Sequence, residues 1–343
     1  MTTQITRPHF NLIRLVAACQ VMIVHTLNHL EIQFWPAAAF RAFPGVPVFF
    51  FASGYLITLS YMRLGSSDLV KFYQNRVLRI YPALIVCVFL TLLALLATGY
   101  LATAATSIFH ISLWTLAQTT FLQFYNPDFM RSFGVGVING ALWTISVELQ
   151  FYVLTPLIIY LAINKKWIFA LLFSLSVLCS IYVSFFMRME TLYTKLFYVS
   201  FLPWIFIYLG GMFVALKPEA IRWVDRVPLV GLIGLYFASM FAIGGYYHNA
   251  QNSINPLSLS ILCLIVWRLS AEIPAILESS SRLATKHDLS YGVYLYHMPV
   301  INFVVYYGLS GSWAAAMLVF ALSVALGLFS WLVIERPALR KKF

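Results

Sequence analysis

Long apolar segments alternate with short polar stretches along almost the whole chain. A helix needs about 20 mainly apolar residues to cross about 30 Å of hydrocarbon. The pattern therefore predicts an all-α fold, a polytopic transmembrane helical bundle of about ten spans. The predicted spans are residues 11–30, 44–62, 80–103, 141–163, 167–187, 196–216, 229–247, 255–271, 289–309 and 312–334.

The stretch 104–140 departs from this pattern. Its apolar part, from Leu113 to Phe124, is too short and too polar for a comfortable span, so we interpret it as interfacial or re-entrant. The other loops are too short for a separate soluble module, and no internal repeat is visible. We expect a single membrane domain over residues 1–343, with no appended soluble domain.

Basic residues predict the direction of insertion. With the N-terminus in the cytoplasm, 18 of the 22 Lys and Arg residues lie on the cytoplasmic side. Cytoplasmic loops carry such an excess, and an even number of spans returns the chain to the same side. Both termini are therefore predicted to be cytoplasmic, and an eleventh span at 104–124 would destroy the alternation.

Composition excludes several classes of protein. The chain has 343 residues, of which 62% are hydrophobic and 10% are charged. Soluble domains average about 45–50% apolar and about 25% charged residues. An ordinary soluble enzyme and a disordered chain are both excluded. The net charge of +11 is explained by the basic residues of the cytoplasmic loops. We therefore expect the lipid bilayer as a partner and no nucleic acid. The four cysteines are widely spaced in apolar runs, which predicts neither a disulfide framework nor a metal site.

Arg14 and His25 are ionisable residues inside the first span. At 100° per residue they differ by about 20° around the helix and by about 16 Å along it, so they share one face. Charged groups inside hydrocarbon usually face a bundle interior or a water-filled cavity. The alternative is a snorkelling interfacial arginine and a histidine that merely packs.

Glu148 in the fourth span lies at a depth similar to that of His25. A carboxylate and a histidine at one depth can form an acid–base pair open to the outer face. The alternative interpretation is a structural salt bridge that joins two helices.

The second, third and ninth spans carry further candidates. His297 lies near the middle of its span, and Tyr294 shares its helix face. The two could form a reactive pair, or His297 could simply be a buried histidine that is hydrogen-bonded to tyrosine. Arg76 and Arg79, one turn apart, could hold the phosphates of an anionic ligand or simply anchor the helix. Gly54 permits close approach of another helix or a ligand.

Six segments, taken in chain order, resemble the acyltransferase family three of membrane O-acyltransferases over about residues 8–340. They read FNLIRLVAACQVMIVH, GVPVFFFASGYLIT, KFYQNRVLRIYPA, LWTISVELQFYVLTPLI, LSYGVYLYHMPV and ERP. The resemblance implies transfer of an acyl group, commonly acetyl, from cytoplasmic acetyl-CoA to a glycan or a lipid-linked glycan. Many such relatives modify lipopolysaccharide O-antigen or exopolysaccharide, which implies the bacterial cytoplasmic (inner) membrane.

The resemblance also implies roles for particular residues. The family's R-x10-H pair is matched by Arg14 and His25, and its R-x-x-R pair by Arg76 and Arg79. Its Glu-x-Pro near the C-terminus is matched by Glu335 and Pro337. The chain departs from the family where frequent acids are replaced by Asn11, Pro47 and Leu149.

The expected mechanism uses these residues from the cytoplasmic face inward. The arginines would bind the phosphates of acyl-CoA, the donor substrate, and its extended arm would carry the thioester toward His25. His25 would be the general base on the acceptor hydroxyl, with Glu148 as its orienting partner. His297 and Tyr294 are secondary candidates for acceptor or thioester contacts, and Glu335 for a structural or gating role. Transfer through an acyl-histidine intermediate is an alternative to this direct route.

Two other functions compete with this expectation. A transporter could use Arg14, His25 and Glu148 as a proton relay. Broken helices paired in inverted repeats would favour it. A non-catalytic sensor or scaffold would not need an arginine and a histidine on one helix face.

Overall fold

A computed structural model of the chain describes residues 7–65, 68–104, 106–244 and 254–342. All regular elements in these ranges are helices, which confirms the all-α prediction. The α-helices are α1 (Phe10–His29), α2 (Ala37–Ala42), α3 (Gly45–Leu64), α4 (Leu69–Ala97), α5 (Tyr100–Thr103), α6 (Ile108–Gln118), α7 (Trp143–Asn164), α8 (Lys166–Phe185), α9 (Leu192–Tyr198), α10 (Ile205–Leu216), α11 (Leu229–Ile243), α12 (Pro256–Ala271), α13 (Glu278–Lys286), α14 (Ser290–Tyr306), α15 (Trp313–Phe329) and α16 (Arg336–Leu339). Short 3₁₀ helices cover Asp128–Met130, Gly140–Leu142, Pro218–Arg226 and Ala275–Leu277, and Ser330–Glu335 is a π-helix.

The predicted spans correspond to helices, although several are shorter than predicted. Within the described ranges, six helices are long and apolar enough to cross a membrane. The number rises to eight if two pairs, bent by 100° and 74°, each count as one span. The prediction of ten spans is therefore not confirmed, and the side of the termini stays a prediction. Three of these six helical segments join consecutive elements of the helix list above. The six cover Phe10–His29, Ala39–Leu64, Leu69–Ala97, Gly140–Asn164, Lys166–Phe185 and Trp313–Leu339.

The sixth predicted span shows one physical reason why the lengths differ. The segment 196–216 is broken between α9 and α10, and α10 begins only after Pro203. Proline disfavours helical backbone in the residue before it, so a helix tends not to run through such a position. Residues 245–247, the predicted end of the seventh span, lie outside the described residues.

The stretch 104–140 holds the short helix α6, with 11 residues. At 1.5 Å per residue α6 is about 16 Å long, roughly half of what a span requires. Its N-terminus is capped by the Ser107 side chain, which accepts a hydrogen bond from the backbone N–H of His110. Residue 105 lies outside the described residues. The interpretation of this stretch as something other than a span agrees with the helix length.

The chain divides into two compact units. The first comprises residues up to Ala17, Phe43–Phe72 and Gln150–Asp288. The second comprises Ala18–Ala42, Tyr73–Leu149 and Leu289–Phe343. Three of the five chain boundaries between them fall inside helices, namely α1, α4 and α7.

The first unit is organised around direct backbone contact between α3 and α10. A Cβ atom at Gly54 would overlap the backbone oxygen of Tyr208, and one at Gly211 would overlap that of Phe51. Helix association inside a membrane is not driven by the hydrophobic effect, because lipid tails are as apolar as the side chains. Small residues favour association there because they let helix backbones pack closely. The close approach predicted at Gly54 is thus made by another helix.

The second unit is organised around α14. From Ser290 to Asn302 every residue of this helix is buried. Its backbone touches α15, where a Cβ atom at Gly292 would stand 2.8 Å from the Cα of Gly327. A helix buried on all sides is usually apolar all round, so the polar side chains that α14 does carry require partners.

Candidate active site

Two histidines meet in the second unit, one from α1 and one from α14. Nδ1 of His25 lies 2.9 Å from Nε2 of His297. The rings are stacked with centroids 5.2 Å apart and an angle of 25° between their planes. His297 is completely buried, whereas His25 is half-buried. His29, one turn further along α1, has its ring centroid 5.9 Å from that of His25.

The hydrogen bonds around this pair assign its protons. Nδ1 of His297 lies 2.7 Å from the backbone oxygen of Tyr294. A carbonyl oxygen can only accept, so Nδ1 of His297 carries a proton. In the neutral ring Nε2 then holds the lone pair and accepts from Nδ1–H of His25. The lone pair of a neutral His25 consequently lies on its Nε2.

The backbone of α14 is pinned beside His297. Pro299 lacks an N–H, so the carbonyl of Leu295, four residues earlier, has no helical donor. Two side chains replace it: Nδ2 of Asn139 donates at 2.9 Å and the Cys87 thiol at 3.6 Å. The proline inside the helix thus ties α14 to α4 and to the segment before α7.

Tyr294 does not direct its hydroxyl at His297. That hydroxyl lies 2.7 Å from Oγ1 of Thr144 and 3.1 Å from the backbone oxygen of Ala141. The contact of Tyr294 with His297 is made by its backbone carbonyl instead. The helical spacing predicted that the two residues share a face, and the structure joins them by a bond to the backbone.

A second polar residue of α14, Asn302, holds the segment before α7. Its Oδ1 accepts from the backbone N–H of Val135 at 2.9 Å. Its Nδ2 donates to the carbonyls of Val137 at 3.0 Å and Ile138 at 3.1 Å. Gly134, with a φ of +53°, lies so close to Asn302 that a Cβ atom would overlap the side chain. These bonds fix the segment against the helix that carries His297.

Glu148 is half-buried on α7, in the same unit as the two histidines. Tyr291, in the same unit, donates a hydrogen bond from its hydroxyl to the Ile80 carbonyl at 3.0 Å. The nitrogen of His25 that an orienting partner would hold is occupied by His297. A catalytic role of Glu148 stays a prediction.

Arg79 of α4 forms an ion pair with Glu335, at 3.5 Å between Nη1 and Oε2. The two side chains are only 13% and 1% exposed. The other carboxylate oxygen of Glu335 accepts from the Ser330 hydroxyl at 2.9 Å. Ser330 and Glu335 are the first and last residues of the π-helix, a distortion that is frequent at functional sites. Glu335 thus pairs with an arginine on α4, and its structural or gating role stays a prediction.

Two further candidates lie next to this ion pair in the chain. Arg76 is half-buried on α4, one turn before Arg79. Pro337 is exposed near the start of α16.

Arg14 has its partner in the first unit. Its Nη1 lies 3.0 Å from Oδ2 of Asp288, and the two side chains are 17% and 12% exposed. Sequence reasoning missed Asp288, although it is the acidic residue immediately before the ninth predicted span. Asn139 and Asn302 were missed as well. The signal for Asn302 was a lone amide inside an apolar span, which requires hydrogen-bond partners.

Comparison with known proteins identifies relatives over nearly the whole chain. A family model described as acyltransferase domain matches residues 7–335. Nodulation protein 10 of Rhizobium leguminosarum bv. viciae is 30% identical over 97% of this chain and 94% of its own length. O-acetyltransferase OatA of Staphylococcus aureus is 26% identical over 92% of this chain, which spans only 55% of OatA. An O-acetyl transferase of Shigella phage Sf6 is 25% identical over 97% of this chain and 96% of its own length. No solved structure matches the chain.

Proposed function

Because this chain belongs to the acyltransferase domain family and is a membrane O-acetyltransferase by its relatives, we propose that it acetylates a glycan. The donor is cytoplasmic acetyl-CoA. The acceptor is a hydroxyl of a cell-surface glycan, such as an O-antigen or exopolysaccharide, or of its lipid-linked precursor. The site of action is the bacterial cytoplasmic (inner) membrane. His25 is the general base.

One observation carries the role of His25. The hydrogen bonds from His25 through His297 to the Tyr294 carbonyl leave the lone pair of a neutral His25 on Nε2. A general base needs a lone pair on a defined nitrogen and a conjugate acid that the protein stabilises. The tautomer of His25 supplies the lone pair on a defined nitrogen. The conjugate acid is stabilised because the imidazolium would donate to His297 more strongly than the neutral ring does.

The proposed reaction conserves atoms and protons. The acceptor oxygen attacks the thioester carbonyl carbon while its proton moves to Nε2 of His25. The carbon–sulfur bond then breaks as the tetrahedral intermediate collapses. The coenzyme A thiolate leaves and receives the proton from the imidazolium. The products are the O-acetyl ester and coenzyme A, and His25 returns to its neutral form.

Arg14, Arg76 and Arg79 are proposed to bind the phosphates of the donor. Arginine suits this task because its guanidinium is permanently charged and forms paired hydrogen bonds with phosphate. Arg14 faces Asp288 and Arg79 faces Glu335. We propose that these carboxylates hold the guanidinium groups in position, so that phosphate oxygens add to the pair or replace the carboxylate. Pro337 would limit the motion of the chain next to Glu335.

The test is acetyl transfer by purified protein in lipid nanodiscs. Radiolabelled acetyl-CoA and a membrane extract that contains lipid-linked glycans are supplied, and label in the glycan fraction is counted. Wild-type protein is expected to transfer label, and His25→Ala is expected to lose nearly all of it. His110→Ala is the matched control, because His110 is exposed on α6 and its ring bonds to Ser107 within the same turn. Transfer at the wild-type rate by folded His25→Ala would refute the general base.

A transporter is the second candidate, and one observation bears on it. Two helix pairs are bent by 100° and 74°, and transporters often contain broken spans. The first of these pairs, however, begins with Pro218–Arg226, whose sequence PEAIRWVDR carries four charged residues. Such a segment is too polar for half of a membrane helix. Movement of a glycan precursor across proteoliposomes without any acetyl transfer would favour the transporter.

A further inference from the structure

We infer that His297 is the positioning residue of the proposed transfer: it accepts the Nδ1 proton of His25 and so holds the basic lone pair on Nε2. This inference rests on the proposed function. It assigns to His297 a task other than contact with the acceptor or the thioester.

The first argument is the use of both ring nitrogens. Nδ1 of His297 bonds to the Tyr294 carbonyl at 2.7 Å, and Nε2 faces Nδ1 of His25 at 2.9 Å. The side chain is completely buried. A ring whose two nitrogens both have protein partners offers no further hydrogen-bonding atom to a substrate. Its influence on the reaction must therefore pass through His25.

The second argument is the tautomer of His25. In an imidazole, the nitrogen that bears the proton is set by the hydrogen bond of the other nitrogen. Neutral His297 already uses Nδ1 as its donor. Its Nε2 can therefore act only as a hydrogen-bond acceptor. The pair therefore has one consistent arrangement, in which His25 is protonated on Nδ1 and basic on Nε2.

The third argument is the rigidity of the support. The Leu295 carbonyl, freed by Pro299, is held by Asn139 and Cys87. The α14 backbone on the other side is held by Asn302. A positioning residue is effective only if its own geometry is fixed by packing and hydrogen bonds.

Three substitutions of His297 separate this role from packing. In His297→Gln the side-chain amide reaches the position of Nε2, so it can still accept from His25. In His297→Asn the amide reaches only the position of Nδ1, so the bond to Tyr294 can persist while the acceptor for His25 is lost. His297→Phe keeps the ring volume and removes both bonds.

Steady-state acetyl transfer in nanodiscs is measured for each variant, with kcat and KM for acetyl-CoA determined separately. We expect the Asn and Phe variants to lose kcat by a factor of about 100 or more, the usual range for a misplaced general base, with KM changed by less than a factor of about 3. The Gln variant should retain kcat within a factor of about 10 of the wild type. Wild-type kcat in the Phe variant, or equal losses in the Gln and Asn variants, would overturn the inference.

A second measurement does not depend on acyl transfer. Protein labelled with ¹⁵N-histidine is studied by solid-state NMR, and the His25 signals are assigned by their loss in His25→Ala. We expect protonated Nδ1 and unprotonated Nε2 in the wild type and in His297→Gln, and a mixture of tautomers in His297→Asn. A wild-type His25 protonated on Nε2 would overturn the inference. If the wild type transfers no acetyl group, the proposed function fails, and this measurement still decides the tautomer.

Discussion

Replacement of Asn302 by alanine is expected to release the segment 134–138 from α14. The side chain of Asn302 accepts from the Val135 N–H and donates to the carbonyls of Val137 and Ile138. All three of these backbone groups lose this bond in the variant. The Met298 carbonyl, also contacted by Nδ2 at 3.1 Å, lies four residues earlier in α14 and keeps the helical N–H as donor.

The size of the effect follows from the burial of these groups. The bond to Ile138 is buried, whereas those to Val135 and Val137 are partly buried. A buried backbone group without a partner costs about 1–3 kcal/mol, and water can reach the partly buried ones. We therefore expect the segment to be destabilised by about 2–4 kcal/mol. At about 1.36 kcal/mol per factor of ten, this corresponds to a change of roughly 30- to 1,000-fold in the opening equilibrium.

Hydrogen–deuterium exchange followed by mass spectrometry measures this opening in nanodiscs. Amides of the segment 134–138 should exchange faster in Asn302→Ala by about that factor, because exchange of protected amides follows local opening. Asn164→Ala is the matched control, since Asn164 is exposed and its side chain bonds to the Tyr160 carbonyl within the same helix. If the segment exchanges at the wild-type rate in Asn302→Ala, the three bonds do not hold it in place.

Two further variants test the packing and the buried ion pair. In Gly211→Ala the new methyl group would overlap the Phe51 carbonyl, so we expect the free energy of unfolding to fall by about 1–3 kcal/mol. Gly231→Ala, with nothing within 4 Å of the new group, controls for helix propensity. Equal melting temperatures of the two variants would contradict the expectation. Glu335→Gln removes the carboxylate charge that pairs with the largely buried Arg79, so we expect the free energy of unfolding to fall by about 3–5 kcal/mol. The double variant Arg79→Gln/Glu335→Gln should recover part of that loss. Strictly additive losses in thermal melts would show that the pair is not coupled.

Prediction from the sequence succeeded where the property is local. The membrane class follows from apolar content, and α1 follows from a run of apolar residues, so Arg14 and His25 stand on one continuous helix as predicted. The close approach at Gly54 was also predicted, because a residue without a side chain inside a span lets a second backbone come near. The family follows from motifs that are each continuous in the chain.

Prediction was weaker for helix length and for depth in the membrane. Counting residues from predicted span ends placed His25 at the level of Glu148 and His297 deeper. The structure nevertheless joins His25 to His297. Residue counting measures position along one helix only, whereas tilt and rotation of each helix are set by its packing against neighbours.

The order of residues along the chain thus specifies the kind of protein, its helices, and the charged or titratable side chains that those helices carry. The partners of these side chains depend on how the helices pack. His25 and His297 are 272 residues apart, and Arg14 and Asp288 are 274 apart. No local periodicity specifies such pairs, because a helix pattern states which face is polar but not which helix it meets. The proton arrangement of His25, on which the proposed chemistry depends, exists only once α1 and α14 are packed together.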